Sequence, residues 1–308
     1  MKIFIDGSAG TTGLRIKDRL SARSDVELIA LPEKLRKDTE SRKAAINSAD
    51  VAFLCLPDAA AVEAVELVTN PDTVIIDTST AHRTSEGWAY GFPELSEAHE
   101  NKIKSSKRIA VPGCHAGGFI ALVYPLVEAG AISKDALLSC FSLTGYSGGG
   151  KKMIAEYEDD GKSELLLAPR QYGLSQQHKH LKEMKGITGL QNEPVFCPVV
   201  DDFYSGMQVT VPLFKSQLNG CTADDIANIY RNKYTGPVVS FCDCTDESGF
   251  LCAGALSGKD SMKVAVYGNS ERILLCAVYD NLGKGASGAA LENLNLVMGK
   301  DKAFGLDI

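Results

Sequence analysis

The sequence predicts an α/β protein in two parts, a parallel α/β domain followed by an α+β domain, on three observations. The first third alternates short apolar runs with helical segments. A glycine turn, Gly7-Ser8-Ala9-Gly10-Thr11-Thr12-Gly13, sits where the first apolar run passes into the first helix. After Cys114 the apolar runs lengthen and begin to alternate, as strands of a mixed or antiparallel sheet do. With 308 residues and 44% hydrophobic content, the chain is long enough to bury two cores.

In order, strands are expected at Ile3 to Asp6, Val26 to Leu31, Val51 to Leu56 and Thr73 to Asp77. Helices are expected between them, at Thr12 to Ala22, Ser41 to Asn47 and Ala59 to Val68. Arg108 to Val111 reads as a strand leading into Pro112-Gly113-Cys114. In the second part, strands are expected at Leu137 to Leu143, Phe196 to Val200, Gly206 to Phe214, Val238 to Cys242 and Met262 to Tyr267. Lys151 to Tyr157 and Ala223 to Tyr234 carry helix periodicity. A small-residue helix from Gly285 to Leu296 is suited to packing back on the first domain. The expected division is 1–113 with 286–308 for one domain and 114–285 for the other.

Gly7-x-x-Gly10-x-x-Gly13 opens a helix directly after a strand. Glycines there let backbone approach a pyrophosphate, and the helix N-terminus supplies N–H donors. The turn, with Ser8, Ala9, Thr11 and Thr12, therefore marks a Rossmann-type dinucleotide-binding domain. After the second strand, Leu31-Pro32-Glu33-Lys34-Leu35-Arg36-Lys37 offers one acid against three cations. That excess, Arg36 included, favours the 2′-phosphate of NADP(H) over NAD.

Cys114 stands at the start of an apolar helical run, where unpaired N–H groups and the helix dipole favour a thiolate. Small residues on both sides, Gly113 and Ala116-Gly117-Gly118, clear space around the sulfur. A nucleophilic cysteine needs a proton acceptor close in space, and two of only five histidines stand together in Gln177-His178-Lys179-His180-Leu181-Lys182-Glu183. His178 is the candidate base, with His180 or Glu183 orienting it; a hydrophilic surface turn is the plainer alternative. His115 is a poorer base, because successive helical residues point about 100° apart. His-x-His has no suitable third ligand nearby, so no metal is expected.

Two polar clusters follow strands and suit an anionic small molecule. Asp77-Thr78-Ser79-Thr80-Ala81-His82-Arg83 brings an arginine, and Gly145-Tyr146-Ser147-Gly148-Gly149-Gly150-Lys151 resembles an anion-binding loop entering a helix. The net charge of −7 leaves no basic surplus for nucleic acid or an acidic membrane. Nine scattered cysteines fit reduced thiols of a cytoplasmic protein; Cys242-Asp243-Cys244 is the one close pair and lacks redox or metal spacing. No signal peptide or membrane-spanning run is seen.

These pieces, in this order, resemble the shorter type of the N-acetyl-gamma-glutamyl-phosphate reductase family of arginine biosynthesis. The likeness spans the chain and rests on Gly7 to Gly13, Asp77 to Arg83, Tyr90-Gly91-Phe92-Pro93-Glu94-Leu95, Pro112-Gly113-Cys114, Ser147 to Gly150, His178 to His180 with Glu183, and Asp280 to Ala286. Longer family members carry an aromatic after the cysteine and a threonine soon after it; here His115 and Gly117 stand there. The resemblance implies a catalytic and dimerisation domain of the semialdehyde-dehydrogenase type, and a homo-oligomer, dimer or tetramer. It implies that Cys114 attacks the acyl phosphate, that His178 manages protons, that NADPH reduces the resulting thioester, and that Asn281 and the Lys284 turn lie near the nicotinamide. Arg83, Ser147, Gly148 and Lys151 would hold the substrate's negative groups. Aspartate-semialdehyde dehydrogenase shares this chemistry and is the nearest rival. A non-catalytic NADP-binding sensor is a rival of another class, and a cysteine peptidase leaves the glycine turn unexplained.

Overall fold

The computed structural model describes residues 1–243 and 246–308, so the Cys242-Asp243-Cys244 pair falls partly outside the described residues. The chain divides into two compact units, Met1–Pro112 with Ala289–Phe304 and Gly113–Gly288 with Gly305–Ile308.

The first unit runs β1 (Lys2–Asp6), α1 (Thr11–Ser21), β2 (Glu27–Ile29), α2 (Thr39–Ser48), β3 (Val51–Leu54), α3 (Asp58–Glu66), β4 (Val74–Asp77), β5 (Ala89–Tyr90), α4 (Glu97–Ser105) and β6 (Arg108–Ala110). Its six strands form one parallel sheet in the order β2-β1-β3-β4-β6-β5. Every residue of β3 and β4 is buried, which is why both read as unbroken apolar runs. Helix α1 buries Ile16 and Leu20, four residues apart on one face. Asp38 caps α2 by accepting the Ser41 N–H at 2.8 Å, a bond worth about 1 kcal/mol. Strand order turns back between β1 and β3, so the ligand crevice of this sheet opens at the end of β1, where Gly7 follows.

The second unit holds α5 (Cys114–Glu128), β7 (Ser139–Gly145), α6 (Gly150–Glu158), β8 (Arg170–Gln171), α7 (His180–Thr188), β9 (Val195–Asp201), β10 (Met207–Phe214), α8 (Ala223–Lys233), β11 (Val239–Phe241), β12 (Met262–Gly268) and β13 (Arg272–Tyr279). Its sheet is mixed, in the order β11-β12-β13-β10-β7-β9-β8. Helix α5 packs on β10 and β13, and α7 and α8 pack on α5. Strand β13 is absent from the expected strands although it pairs with both β10 and β12. Leu275 to Tyr279 are all buried, so that stretch shows no alternation to read.

The last helix, α9 (Gly288–Val297), starts later than the expected Gly285. Asp280 explains the delay: its carboxylate accepts the Leu282 and Gly283 N–H groups and its carbonyl accepts that of Gly285. The intervening Gly283–Ser287 forms a π-turn instead. Within the first unit, α9 is tied down by Asn293, which donates to the Gly91 carbonyl at 3.0 Å, and by Asn295, which accepts from Arg23 at 2.9 Å. Among the described residues, no helix is long and apolar enough to cross a membrane.

Candidate active site

Cys114 is the first residue of α5, and Gly113 before it is an extended N-cap that supplies no side-chain hydrogen bond. The dipole at this helix start favours negative charge at the sulfur. Three other elements hold this turn. Buried Glu183 of α7 accepts the Gly113 N–H at 2.8 Å. The Tyr279 hydroxyl at the end of β13 donates to the Cys114 carbonyl. Gly285 backs onto the cysteine so closely that a Cβ there would lie 3.1 Å from the Cys114 Cβ.

A cluster of rings lies beside the turn. His178 and His180 sit 4.7 Å apart between centroids, and His115 lies 5.8 Å from the first and 5.6 Å from the second. Phe196 closes the group at 5.3 Å from His115 and 5.1 Å from His178. The two His115 nitrogens are both engaged, Nδ1 with Ser142 Oγ and Nε2 with Tyr172 Oη, each at 2.7 Å. Burial, helped by the charge of His178, pulls His115 down to about 3, so it is neutral at physiological pH. Burial and then Lys179 also lower His178. The His178 Nδ1 accepts the His180 backbone N–H at 3.2 Å, which places the proton of the neutral ring on Nε2. Tyr172 is pushed up by burial and, second, by the charge of Cys114.

Ser147 and Asn281 meet in the same unit: Asn281 Nδ2 donates to Ser147 Oγ at 3.0 Å, while its Oδ1 accepts the Gly206 N–H at 2.9 Å. The expected anion loop is a 3-10 turn, Tyr146–Gly149, with Ser147 buried, Gly148 exposed and Lys151 exposed in the first turn of α6. Arg83 belongs to the first unit, where it donates through Nε to the Val111 carbonyl at 2.8 Å and through Nη2 to that of Thr78 at 3.0 Å. Among the described residues, no group of three or more His, Cys, Asp or Glu side chains is arranged to hold a metal ion.

In the first unit the glycine turn borders a crevice of about 540 Å³, walled by Gly7, Ser8, Ala9, Leu28 to Leu31, Lys34, Arg36, Lys37 and Arg42. Gly7 has φ +83°, and a Cβ there would lie 2.2 Å from the Cys55 carbonyl oxygen. A Cβ at Gly13 would meet the Gly7 carbonyl oxygen at 2.4 Å, whereas at Gly10 the nearest atom is 3.4 Å away. Packing thus demands glycine at the two ends of the turn, while a Cβ at the middle glycine would have ordinary van der Waals room. Arg42, missed in the sequence reading, joins the wall through two hydrogen bonds to Asp6 Oδ2 at 3.0 and 2.8 Å. Nothing in the run Ser41 to Asn47 distinguishes it from the solvated face of a polar helix.

Residues 32–104 match the family model described as semialdehyde dehydrogenase, NAD binding domain, and residues 114–281 match semialdehyde dehydrogenase, dimerisation domain. Over 305 residues the chain is 44% identical to N-acetyl-gamma-glutamyl-phosphate reductase of Sinorhizobium medicae, spanning 96% of this chain and 98% of the relative. It is 43% identical to N-acetyl-gamma-glutamyl-phosphate reductase 2 of Pseudomonas putida, over 98% of each chain. The chain belongs to the N-acetyl-gamma-glutamyl-phosphate reductase family. The fold extends further: a crystal structure of aspartate semialdehyde dehydrogenase with NADP from Candida albicans has TM-score 0.69 at 16% identity, over 96% of this chain and 98% of that one.

As in the family model, the first unit is a nicotinamide-dinucleotide-binding domain. Its residues fit that group. The α1 N-terminus carries no side-chain cap, and the buried Thr11 Oγ1 lacks a hydrogen-bond partner within the protein, so a ligand phosphate would satisfy both.

Proposed function

We propose that this protein catalyses the NADPH-dependent reductive dephosphorylation of N-acetyl-L-glutamyl 5-phosphate to N-acetyl-L-glutamate 5-semialdehyde, a step of arginine biosynthesis. The observation that carries this reading is Cys114 at the uncapped start of α5, in a chain whose other unit holds a dinucleotide crevice. The Cys114 sulfur attacks the acyl carbon, a C–S bond forms, and the C–O bond to phosphate breaks with release of inorganic phosphate. The thioester divides a hard reduction into two easier steps, because a free carboxylate is a poor electrophile. The dinucleotide, when bound, supplies the hydride that brings this carbon to the aldehyde level.

His178 is the proton-handling group for the thiol and for the collapsing hydroxyl. Its lowered proton affinity keeps it neutral near pH 7, the state needed to accept a proton. Proton uptake by the neutral ring falls on Nδ1, so the bond from the His180 N–H has to give way before His178 takes the thiol proton. Glu183 fixes the backbone before the nucleophile, and Asn281 fixes the Ser147 turn. Ser147, Gly148, Lys151 and Arg83 are the candidates for the substrate's negative groups. Gly7 to Gly13 would hold the pyrophosphate, and the exposed Lys34, Arg36 and Lys37 favour the 2′-phosphate of NADPH.

Copies of the chain assemble through the open face of the second sheet. Phe141, Leu274 and Phe214 are 42, 41 and 63% exposed there. The strand register sets Phe141 opposite Thr210 and Leu274 opposite Pro212, so the apolar side chains share one face. Light scattering on a sizing column should give at least a dimer, and a monomer would remove this part of the reading.

The test of the activity is phosphate-dependent reduction of NADP by N-acetylglutamate semialdehyde, with aspartate semialdehyde as comparator. The reading stands if the acetylated substrate is strongly preferred and Cys114→Ser abolishes turnover. Preference for aspartate semialdehyde would favour the rival dehydrogenase, and cofactor binding without turnover would favour the sensor.

A further inference from the structure

Beside Cys114 runs a hydrogen-bonded chain, Ser142–His115–Tyr172, to which the reaction as written assigns no role. Ser142 lies on β7 with no exposed surface, His115 on α5 is 3% exposed, and Tyr172 follows β8 and is partly exposed. Two buried polar side chains in such a place must be hydrogen-bonded, and both are.

The chain has a direction. A neutral imidazole has one N–H and one lone pair, so His115 donates to one hydroxyl and accepts from the other. If Nδ1 carried the proton, the Ser142 hydroxyl would accept it, and its own hydrogen would be buried with no acceptor. Leaving a buried donor unsatisfied costs about 1–3 kcal/mol. Ser142 therefore donates to Nδ1, Nε2–H donates to the Tyr172 oxygen, and the phenolic hydrogen is aimed away from His115. Tyr172 is the partly exposed end of the chain, so its hydrogen is the one left for a partner outside the chain. The Tyr172 ring lies 6.1 Å between centroids from both His115, the residue after Cys114, and His178.

We infer that Tyr172 donates its hydroxyl hydrogen bond to the carbonyl oxygen of the acyl group carried by Cys114, and that Ser142 and His115 set the direction of that donor. The carbonyl oxygen gains negative charge each time the acyl carbon becomes tetrahedral, during attack by sulfur and during reduction. A fixed O–H aimed at it strengthens at those moments and needs no reorganisation. No proton leaves Tyr172, because burial and the neighbouring sulfur both hold it on the oxygen. Tyr172 is thus a catalytic residue, and His115 and Ser142 are positioning residues.

This inference rests on the acyl-transfer reading, and wild-type turnover of N-acetylglutamate semialdehyde with NADP and phosphate tests that reading separately. Given an active wild type, Tyr172→Phe should lower kcat by roughly 10²–10³-fold, the usual effect of removing one such donor. KM, NADP binding and the pH profile of iodoacetamide labelling at Cys114 should stay unchanged. His115→Phe, which keeps a ring but breaks the chain, should lower kcat about tenfold or more. Combined with Tyr172→Phe it should add nothing, the signature of two residues acting as one unit. His115→Gln, whose amide reaches about where Nε2 sits, should recover part of the loss; a merely structural histidine would show no such recovery. A Tyr172→Phe enzyme with unchanged kcat overturns the inference. So does one whose labelling profile shifts while kcat holds, because the phenol would then serve the thiolate and not the acyl oxygen. Additive losses in the double variant would remove His115 and Ser142 from the assignment.

Discussion

The two functional regions are built in opposite ways. The dinucleotide crevice grows from contiguous backbone, seven residues in which glycine is required at each end by atoms 2.2 and 2.4 Å away. The Cys114 cluster is assembled from side chains of several elements: Ser142, Glu183, Phe196 and Tyr279 each come from a different strand or helix, and Tyr172 and His178 from the loop between β8 and α7. A site made of backbone is sensitive to shape and tolerant of side-chain chemistry. One made of converging side chains is sensitive to single atoms and leans on the sheet that brings them together.

That contrast can be broken most sharply at the sulfur. Cys114→Ser should lower turnover roughly ten-thousand-fold while NADP affinity, read by fluorescence titration, stays at the wild-type value. Loss of both would mean that the two regions are not separable. In the glycine turn, Gly7→Ala combines a left-handed backbone with a Cβ driven into the Cys55 carbonyl. It should cost about 4 kcal/mol of stability, read from denaturant midpoints.

Acidification probes the second region next. Unfolded His115 takes up a proton near the ordinary histidine value of 6.5, while in the folded pocket it resists until about 3. The unfolded state therefore binds more protons within that window, and stability falls as pH drops through it. The expected loss is about 3 kcal/mol between pH 7.5 and 4, with His178 adding in the same direction. His115→Phe should flatten this part of the pH–stability curve; an unchanged slope would place the proton uptake elsewhere. A smaller effect is expected at Gly10, whose backbone is already in an ordinary extended conformation, φ −73° and ψ 167°. Gly10→Ala should leave the melting temperature nearly unchanged and weaken dinucleotide binding about tenfold, or 1.4 kcal/mol. Reversing charge at exposed Arg36 should have the mildest effect: Arg36→Glu is expected to weaken NADP a few-fold, about 0.5–1 kcal/mol, and to leave NAD unaffected.

How much could be read in advance follows the same division. The Gly7 to Gly13 turn and the strand–helix alternation around it were legible because local backbone geometry writes itself into neighbouring residues. Cys114 was legible through the small residues flanking it. Tyr172 and Ser142 were not, since a single tyrosine after a two-residue strand and a serine inside an alternating strand carry no pattern. Their meaning appears only when β7, β8 and α5 bring them to His115. Strand β13 escaped for a related reason: its inner half is buried on both sides and so lacks the alternation by which half-exposed strands are recognised. Helix α7 hid behind its charges, although Leu181, Met184 and Thr188 fall at helical spacing on its buried face.

The return of the chain to its first unit sets an order on how the protein is made. Residues Ala289–Phe304 supply part of that unit, with Asn293 on the Gly91 carbonyl and Lys300 beside Asp25. A nascent chain emerging from the ribosome thus has every strand of the second unit available before the first unit receives its last piece. The nucleotide-binding half, although translated earliest, therefore cannot be completed until the strands of the other half have been made.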